Sequence, residues 1–325
     1  MHVLLVNILF QGGQTTHTIE LAVGLKRKGV KVSFMLIGEK AYPRLAKEFR
    51  KIMAENGIPV FTRSDAKTLL PNVDIVHAHS SWTYALAVRW KEIYGVPVVF
   101  TIHGLGIRAD QRLEKANALI AVGRRTKEGL PDELQEKTVL ITNGVDLEKY
   151  KPTPDKAPSK PLIVLYAGRL TAKKVPGLEA LAAAVQKAGL LLLVASDREV
   201  PLGRNAVFVG WQEELLPIMQ QVDVLFACGR TIREGMALGL ACGVLGENYY
   251  GLITTAEVSP ENLDLSGITG DVPSRDAILK DLLLLKKPKF FKKCRSAARS
   301  LVERFYSLDQ MVERTLEVYS KVLAG

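Results

Sequence analysis

Two cations stand where a phosphate-handling loop would need them. Arg169 and Lys174 follow an apolar run, Leu162 to Tyr166, and a glycine, Gly168. The run reads as a buried strand, and Gly168 permits a sharp turn. Pro176-Gly177 then precedes a helical pattern that starts near Leu178. Cations just past the C-terminal end of a strand, ahead of a helix, lie on the ligand side of an open α/β sheet. A planar guanidinium beside a compact ammonium suits a diphosphate. The plainer reading is a surface turn with two solvated charges, and spacing alone slightly favours it.

Histidines and glycines supply the other chemistry. Val73 to His79 reads as a strand whose end carries His77 and His79, both on one face because alternate residues share a face. A metal would need a third ligand, and none is evident nearby in the sequence; strand-end packing or a hydrogen bond to a ligand accounts for the pair more simply. Val98 to Ile102 is a strand that delivers His103-Gly104 on the ligand side, although a lone histidine there also fits ordinary polar packing. Gly12-Gly13 separates the strand His2 to Leu9 from a helical pattern, Ile19, Leu21, Ala22 and Leu25, which stops at Gly29. The glycine pair allows an anion to approach a helix N-terminus closely. It serves equally as a tight turn, and no full dinucleotide fingerprint is present.

The elements that must position these residues form two series. In the first half, strands are expected at His2 to Leu9, Val30 to Ile37, Val73 to His79, Val98 to Ile102, Leu119 to Val122 and Val139 to Ile141, with helices between them. Pro43 to Asn56 reads as an amphipathic helix: Leu45, Phe49, Ile52 and Met53 make its apolar face, and Arg44, Lys47, Lys51 and Arg50 its basic one. That basic face is either solvated or a contact with an anionic membrane surface. Leu147 to Lys160 has a linker composition rich in Lys, Pro and Asp, and a second strand–helix series follows, with strands near Leu162, Leu190, Val207 and Val222. Arg275 to Leu285 reads as a helix with Leu282 to Leu285 facing the core. A run of Lys286, Lys287, Lys289, Lys292, Lys293 and Arg295, interrupted by Phe290 and Phe291, comes next. Cations with aromatics can bind nucleic acid, but a solvated helix start with both Phe packed inward is the more ordinary account.

Composition narrows the classes. The 325 residues, 47% hydrophobic and 24% charged, are enough for two domains of ordinary size. No apolar run approaches the ~20 residues of a membrane helix. The chain opens directly on a strand-like run, Val3 to Val6, and no signal peptide is read. Cys228, Cys242 and Cys294 are too scattered for a zinc framework and cannot all pair within one chain, so a reducing cytoplasm is expected. A formal charge of +10 favours anionic partners without choosing among them.

Taken in order, several segments resemble the retaining glycosyltransferases of family 4, which have the GT-B fold. Gly12-Gly13 with His17 and Glu20 is similar to the family's first loop and helix. Asp74-Ile75-Val76-His77-Ala78-His79 and Thr101-Ile102-His103-Gly104 resemble its next two strand ends. Ile141-Thr142-Asn143-Gly144-Val145-Asp146 matches "I-x-N-G-V-D", and Gly168-Arg169-Leu170 with Lys174 matches "G-R-L-x-x-x-K". Val209-Gly210, Leu215-Leu216 and Val222 to Leu225 match the nucleotide-side segment.

The resemblance implies an α/β fold of two doubly wound, Rossmann-like domains facing a cleft. Residues 1–151 would be the acceptor side, 152–305 the nucleotide-sugar donor side, and 306–325 a helix crossing back to the first domain. It implies transfer of a sugar from a nucleotide diphosphate sugar, with anomeric retention, no cofactor and no metal. Arg169 and Lys174 would hold the diphosphate, Gly12 and Gly13 would bring backbone amides to it, and His103 would meet the transferred sugar or the acceptor. Glu234, in Arg233-Glu234-Gly235-Met236-Ala237, fits the second of two family glutamates and would hydrogen-bond the ribose. The first, which contacts the donor sugar, is missing: Phe226 stands at its spacing, and the loop that would carry it appears deleted. Glu247 is a carboxylate on a neighbouring loop.

The expected partners are therefore a nucleotide-sugar donor and an acceptor of lipid-linked or anionic kind. Peripheral contact with the inner face of a membrane is compatible with the charge; nucleic acid is not expected. The missing glutamate keeps a non-catalytic nucleotide-sugar binding protein open, and the shared fold keeps a sugar-nucleotide epimerase open.

Overall fold

The computed structural model describes residues 1–10, 12–104, 111–152, 158–259 and 262–325. The chain divides into two compact units, Met1–Gly144 with Leu308–Gly325, and Val145–Ser307.

The first unit holds strands β1 (His2–Ile8), β2 (Lys31–Ile37), β3 (Val60–Phe61), β4 (Ile75–Ala78), β5 (Val98–Ile102), β6 (Ala118–Ala121) and β7 (Thr138–Leu140). They form one sheet in the order β3-β2-β1-β4-β5-β6-β7, every pairing parallel. Helices α1 (Gly13–Arg27), α2 (Pro43–Glu55), α3 (Ala66–Leu69), α4 (Ser81–Tyr94), α5 (Arg124–Glu128) and α6 (Asp132–Glu136) alternate with the strands. Because parallel strands are covered on both faces, the centre of β1, Val3 to Val6, is apolar and fully buried. Val3 and Leu5 join a core with Leu21, Phe34 and Phe49, while Leu4 and Val6 join another with Val76, Tyr84 and Phe100. Local signals place the helix ends: the Ser80 hydroxyl accepts the Thr83 amide at 3.2 Å ahead of α4, and Gly95 closes it in the left-handed region.

The second unit holds β8 (Ile163–Ala167), β9 (Leu191–Ala195), β10 (Ala206–Phe208), β11 (Val224–Ala227), β12 (Ala241–Leu245) and β13 (Tyr249–Leu252). Their order is β10-β9-β8-β11-β12-β13, parallel except for the antiparallel edge strand β13. Helices α7 (Val175–Ala188), α8 (Leu216–Met219), α9 (Gly229–Ala237), α10 (Arg275–Leu285) and α11 (Pro288–Phe305) accompany them. Val164 and Tyr166 face one core, Leu165 and Ala167 the other. In α10, Leu282 and Leu285 are buried but Leu283 is 47% exposed, so the expected four-leucine face is narrower, as helical rotation requires. In the basic run Phe291 is buried and Phe290 half-buried against the core, while the Arg295 guanidinium lies 5.6 Å from the Phe291 ring. The division between units falls at Gly144/Val145, ahead of the Lys- and Pro-rich stretch. The Val145 amide donates to the Tyr306 carbonyl at 2.8 Å, fastening the entry of the second unit to its exit. Residues 153–157 of the expected linker lie outside the described residues.

The last helix, α12 (Leu308–Ala324), belongs to the first unit. Met311, Val312, Val318 and Tyr319 are buried in that unit's core. α12 lies so close to α1 that a Cβ on Gly24 would come 2.4 Å from a Val312 methyl. Among the described residues no helix is long and apolar enough to cross a membrane. Gly24→Leu is expected to lower the stability of the chain by about 1–3 kcal/mol through overpacking; urea unfolding measures this.

Candidate active site

In each sheet the strand order reverses once, between β1 and β4 and between β8 and β11. At such a point the loops leaving the carboxyl ends diverge and open a crevice for ligands. The residues singled out by the sequence gather at these two places.

In the second unit Gly168, at φ +150, turns the chain after β8. Arg169 is exposed and its Nε lies 3.9 Å from Asp197 Oδ2, beyond the end of β9. Lys174, half-buried, immediately precedes α7, and its Nζ lies 3.5 Å from the Cys228 sulfur, beyond the end of β11. The two cations thus flank one strand end: Arg169 leans towards β9 and Lys174 spans the reversal between β8 and β11. The N-termini of α7 and α9 open at the same edge, and their unpaired amides add positive potential. Glu234 is buried on α9, with Oε1 accepting from Arg230 Nε at 2.7 Å. Glu247 is half-buried and pairs at 3.7 Å with Lys173.

In the first unit Gly12 and Gly13 are exposed and lead from β1 into α1. A side chain on Gly12 would strike the Phe10 ring at 2.8 Å. Four histidines collect at the carboxyl ends of β4 and β5. His77 is fully buried; its Nδ1 is 2.6 Å from the Tyr319 hydroxyl of α12 and its Nε2 2.7 Å from the Thr101 hydroxyl. The His79 ring packs on His77 with centroids 4.2 Å apart, and its Nδ1 is 3.2 Å from Nε2 of the half-buried His103. His17 of α1 meets His103 edge-on, centroids 4.7 Å apart. Ligand atoms of His17, His79 and His103 all lie within 4.8 Å of one another. Burial, reinforced by the neighbouring imidazoles, holds His77, His79 and His103 well below the usual histidine range. They are therefore neutral at physiological pH.

Residues 11–149 match the model of Glycosyltransferase Family 4. Over that stretch, which lies within the first unit and its edge, the chain is similar to the family 4 glycosyltransferases. The UDP-Gal:alpha-D-GlcNAc-diphosphoundecaprenol alpha-1,3-galactosyltransferase of Escherichia coli is 24% identical over 296 residues, 76% of this chain and 75% of the relative. A glycosyltransferase from Rickettsia africae superposes with a TM-score of 0.75 at 22% identity, over 99% of this chain and 98% of the other. Anabaena HepE, solved in complex with UDP and glucose, gives 0.72 at 15% identity, over 99% and 100%. The two Rossmann-like units have the GT-B fold of these solved structures.

The missing first glutamate expected from the resemblance has a local counterpart in the structure. Only Cys228 separates β11 from α9, so no loop remains to carry it. The site also contains residues that sequence reasoning did not single out. Asp197 and Cys228 come from other strand ends and leave no local signal. Arg230 did leave one, because it stands one helical turn before Glu234, the spacing of a side-chain pair. Thiols report the same geometry. Cys228 is half-buried, whereas Cys242 and Cys294 are fully buried; burial pushes the Cys242 thiol up and the Cys294 thiol to about 11. Alkylation proceeds through the thiolate. Iodoacetamide at pH 8 is expected to label Cys228 in the folded chain, and the other two only after denaturation; peptide mass spectrometry checks this.

Proposed function

We propose that this glycosyltransferase uses a uridine diphosphate sugar and transfers the sugar, with retention, to an acceptor bearing a lipid-linked diphosphate. The observation that carries the donor side is Lys174, set between the ends of β8 and β11 at the mouth of α7. An ammonium there, with the Arg169 guanidinium beside the same strand end, offsets the charge that appears on the departing diphosphate. The names of the relatives support the ligand classes: UDP-galactose and a diphosphoundecaprenol acceptor in one case, UDP with glucose in another.

In this mechanism the bond from the anomeric carbon to the diphosphate oxygen breaks first, and the electron pair leaves with the nucleoside diphosphate. The sugar carries the developing positive charge. The acceptor hydroxyl attacks from the face the leaving group vacates, and its proton passes to a diphosphate oxygen. The products are the glycosylated acceptor and the nucleoside diphosphate. Side-chain cations perform the neutralisation, so the departure requires no added Mg²⁺ or Mn²⁺. Glu234 accepts from the ribose hydroxyls once Arg230 shares or releases it. His103 orients the acceptor side. The basic face of α2, with Arg44 and Lys47, attracts an anionic membrane surface that presents the acceptor.

Lys174→Ala is expected to lower kcat by about 10²–10³ with an unchanged unfolding temperature. Labelled-sugar transfer from UDP-galactose or UDP-glucose to a diphosphate-linked lipid measures this. Unaltered turnover in that variant overturns the donor site. UDP binding without transfer or hydrolysis in the wild-type chain points instead to a binding protein, the reading favoured by the closed loop at Cys228. Glu234→Gln is expected to weaken UDP and uridine by similar factors in calorimetry. Selective loss of the sugar conjugate shows that this carboxylate does not serve the ribose.

A further inference from the structure

The cluster of His17, His79 and His103 has a geometry that acceptor orientation by His103 alone does not need. We propose that these three imidazoles form a binding site for one divalent transition-metal ion of the zinc class. The inference concerns the first unit only and does not rest on the transfer chemistry.

The residues come from three places in the chain: α1 and the segments after β4 and β5. Parallel pairing of β4 with β5, and of β1 with β4, brings those segments together. His17 and His79 are buried at 3% and 1% exposure, whereas His103 is half-buried and gives an ion a way in. All three ligand atoms fall within 4.8 Å of one another. Nitrogens held ~2.0–2.1 Å from a tetrahedral ion lie about 3.3–3.4 Å apart. His79 Nδ1 and His103 Nε2 are already 3.2 Å apart, the length of one edge of such a tetrahedron, and the ligand atom of His17 lies within 4.8 Å of those of the other two rings.

Three further features specify the occupant. The buried Nε2 of His79 has no hydrogen-bond partner, so no acceptor or donor there dictates which of its nitrogens carries the proton. Neutral rings keep lone pairs available, as metal ligation requires. The cluster contains no carboxylate, and an all-imidazole set selects Zn²⁺, Co²⁺, Ni²⁺ or Cu²⁺ over Mg²⁺ or Ca²⁺. His77 backs the cluster, packed on His79 and anchored between Thr101 and Tyr319, which fixes the ring it supports. Three protein ligands leave a fourth position for water or an incoming hydroxyl.

The test is titration of chelator-treated full-length protein with Co²⁺, followed by visible absorption and calorimetry, and then displacement by Zn²⁺. One equivalent is expected, with the ligand-field bands of a four-coordinate ion, and Zn²⁺ should raise the unfolding temperature. His79→Ala and His103→Gln should each weaken binding by more than about tenfold; His103, being half-buried, is the variant that keeps the test valid if His79→Ala does not fold. His2→Gln, which removes a histidine outside the cluster and beside the N-terminal amine, should bind as the wild type does. Absence of stoichiometric binding, its survival in both cluster variants, or its loss in His2→Gln overturns the site. Since the readout is binding, a failed transfer assay leaves it intact.

Discussion

A parallel strand cannot reach its neighbour through a tight turn. Each connection must run back across the sheet, and this constraint organises the molecule. It puts a helix after most strands, buries both faces of each sheet, and collects the forward loops at one edge. Where the order reverses, at β1/β4 and β8/β11, adjacent loops turn in opposite directions and leave room between them. Lys174 with Cys228, and His17 with His79 and His103, are consequences of that reversal. None of these contacts is close in sequence.

Much of this was legible beforehand, for reasons specific to each element. β1, β2, β5 and β8 each centre on an apolar run, and β2, β5 and β8 are bounded by glycine or proline; such stretches announce themselves. β12 was not read as a strand. Three of its five residues, Ala241, Cys242 and Gly243, are small, and at Gly243 a side chain would collide with the Phe226 ring at 2.6 Å. β3, with two residues, is too short to carry a period. The cations after β8 and the histidines after β4 and β5 were visible as candidates from residue type and position. His17 was visible only through its place in a family pattern; its approach to two strand ends is a tertiary fact. Of the strand-end pair only His79 joins the cluster with His17 and His103; His77 is held instead between Tyr319 and Thr101.

The second unit is compact where β11 meets α9. With one residue between β11 and α9, the helix begins at the strand end and carries Arg230 and Glu234 on adjacent turns. Their ion pair is largely buried, so neither charge is cheaply separated from the other. The acid of α9 is thus already joined to a base, so any hydroxyl that approaches Glu234 competes with a guanidinium for the same oxygens.

The placement of α12 carries a consequence for how the protein is made. The second unit is an uninterrupted stretch, Val145–Ser307, while the first is completed by residues 308–325. As the nascent chain leaves the ribosome, the first sheet emerges early but lacks the cover over Gly24 and the phenol that reaches His77. Translation must pass α12 before that core can close. The segment synthesised second is thus free to mature before the one synthesised first, and a truncation ahead of α12 would injure the sheet that was made earliest.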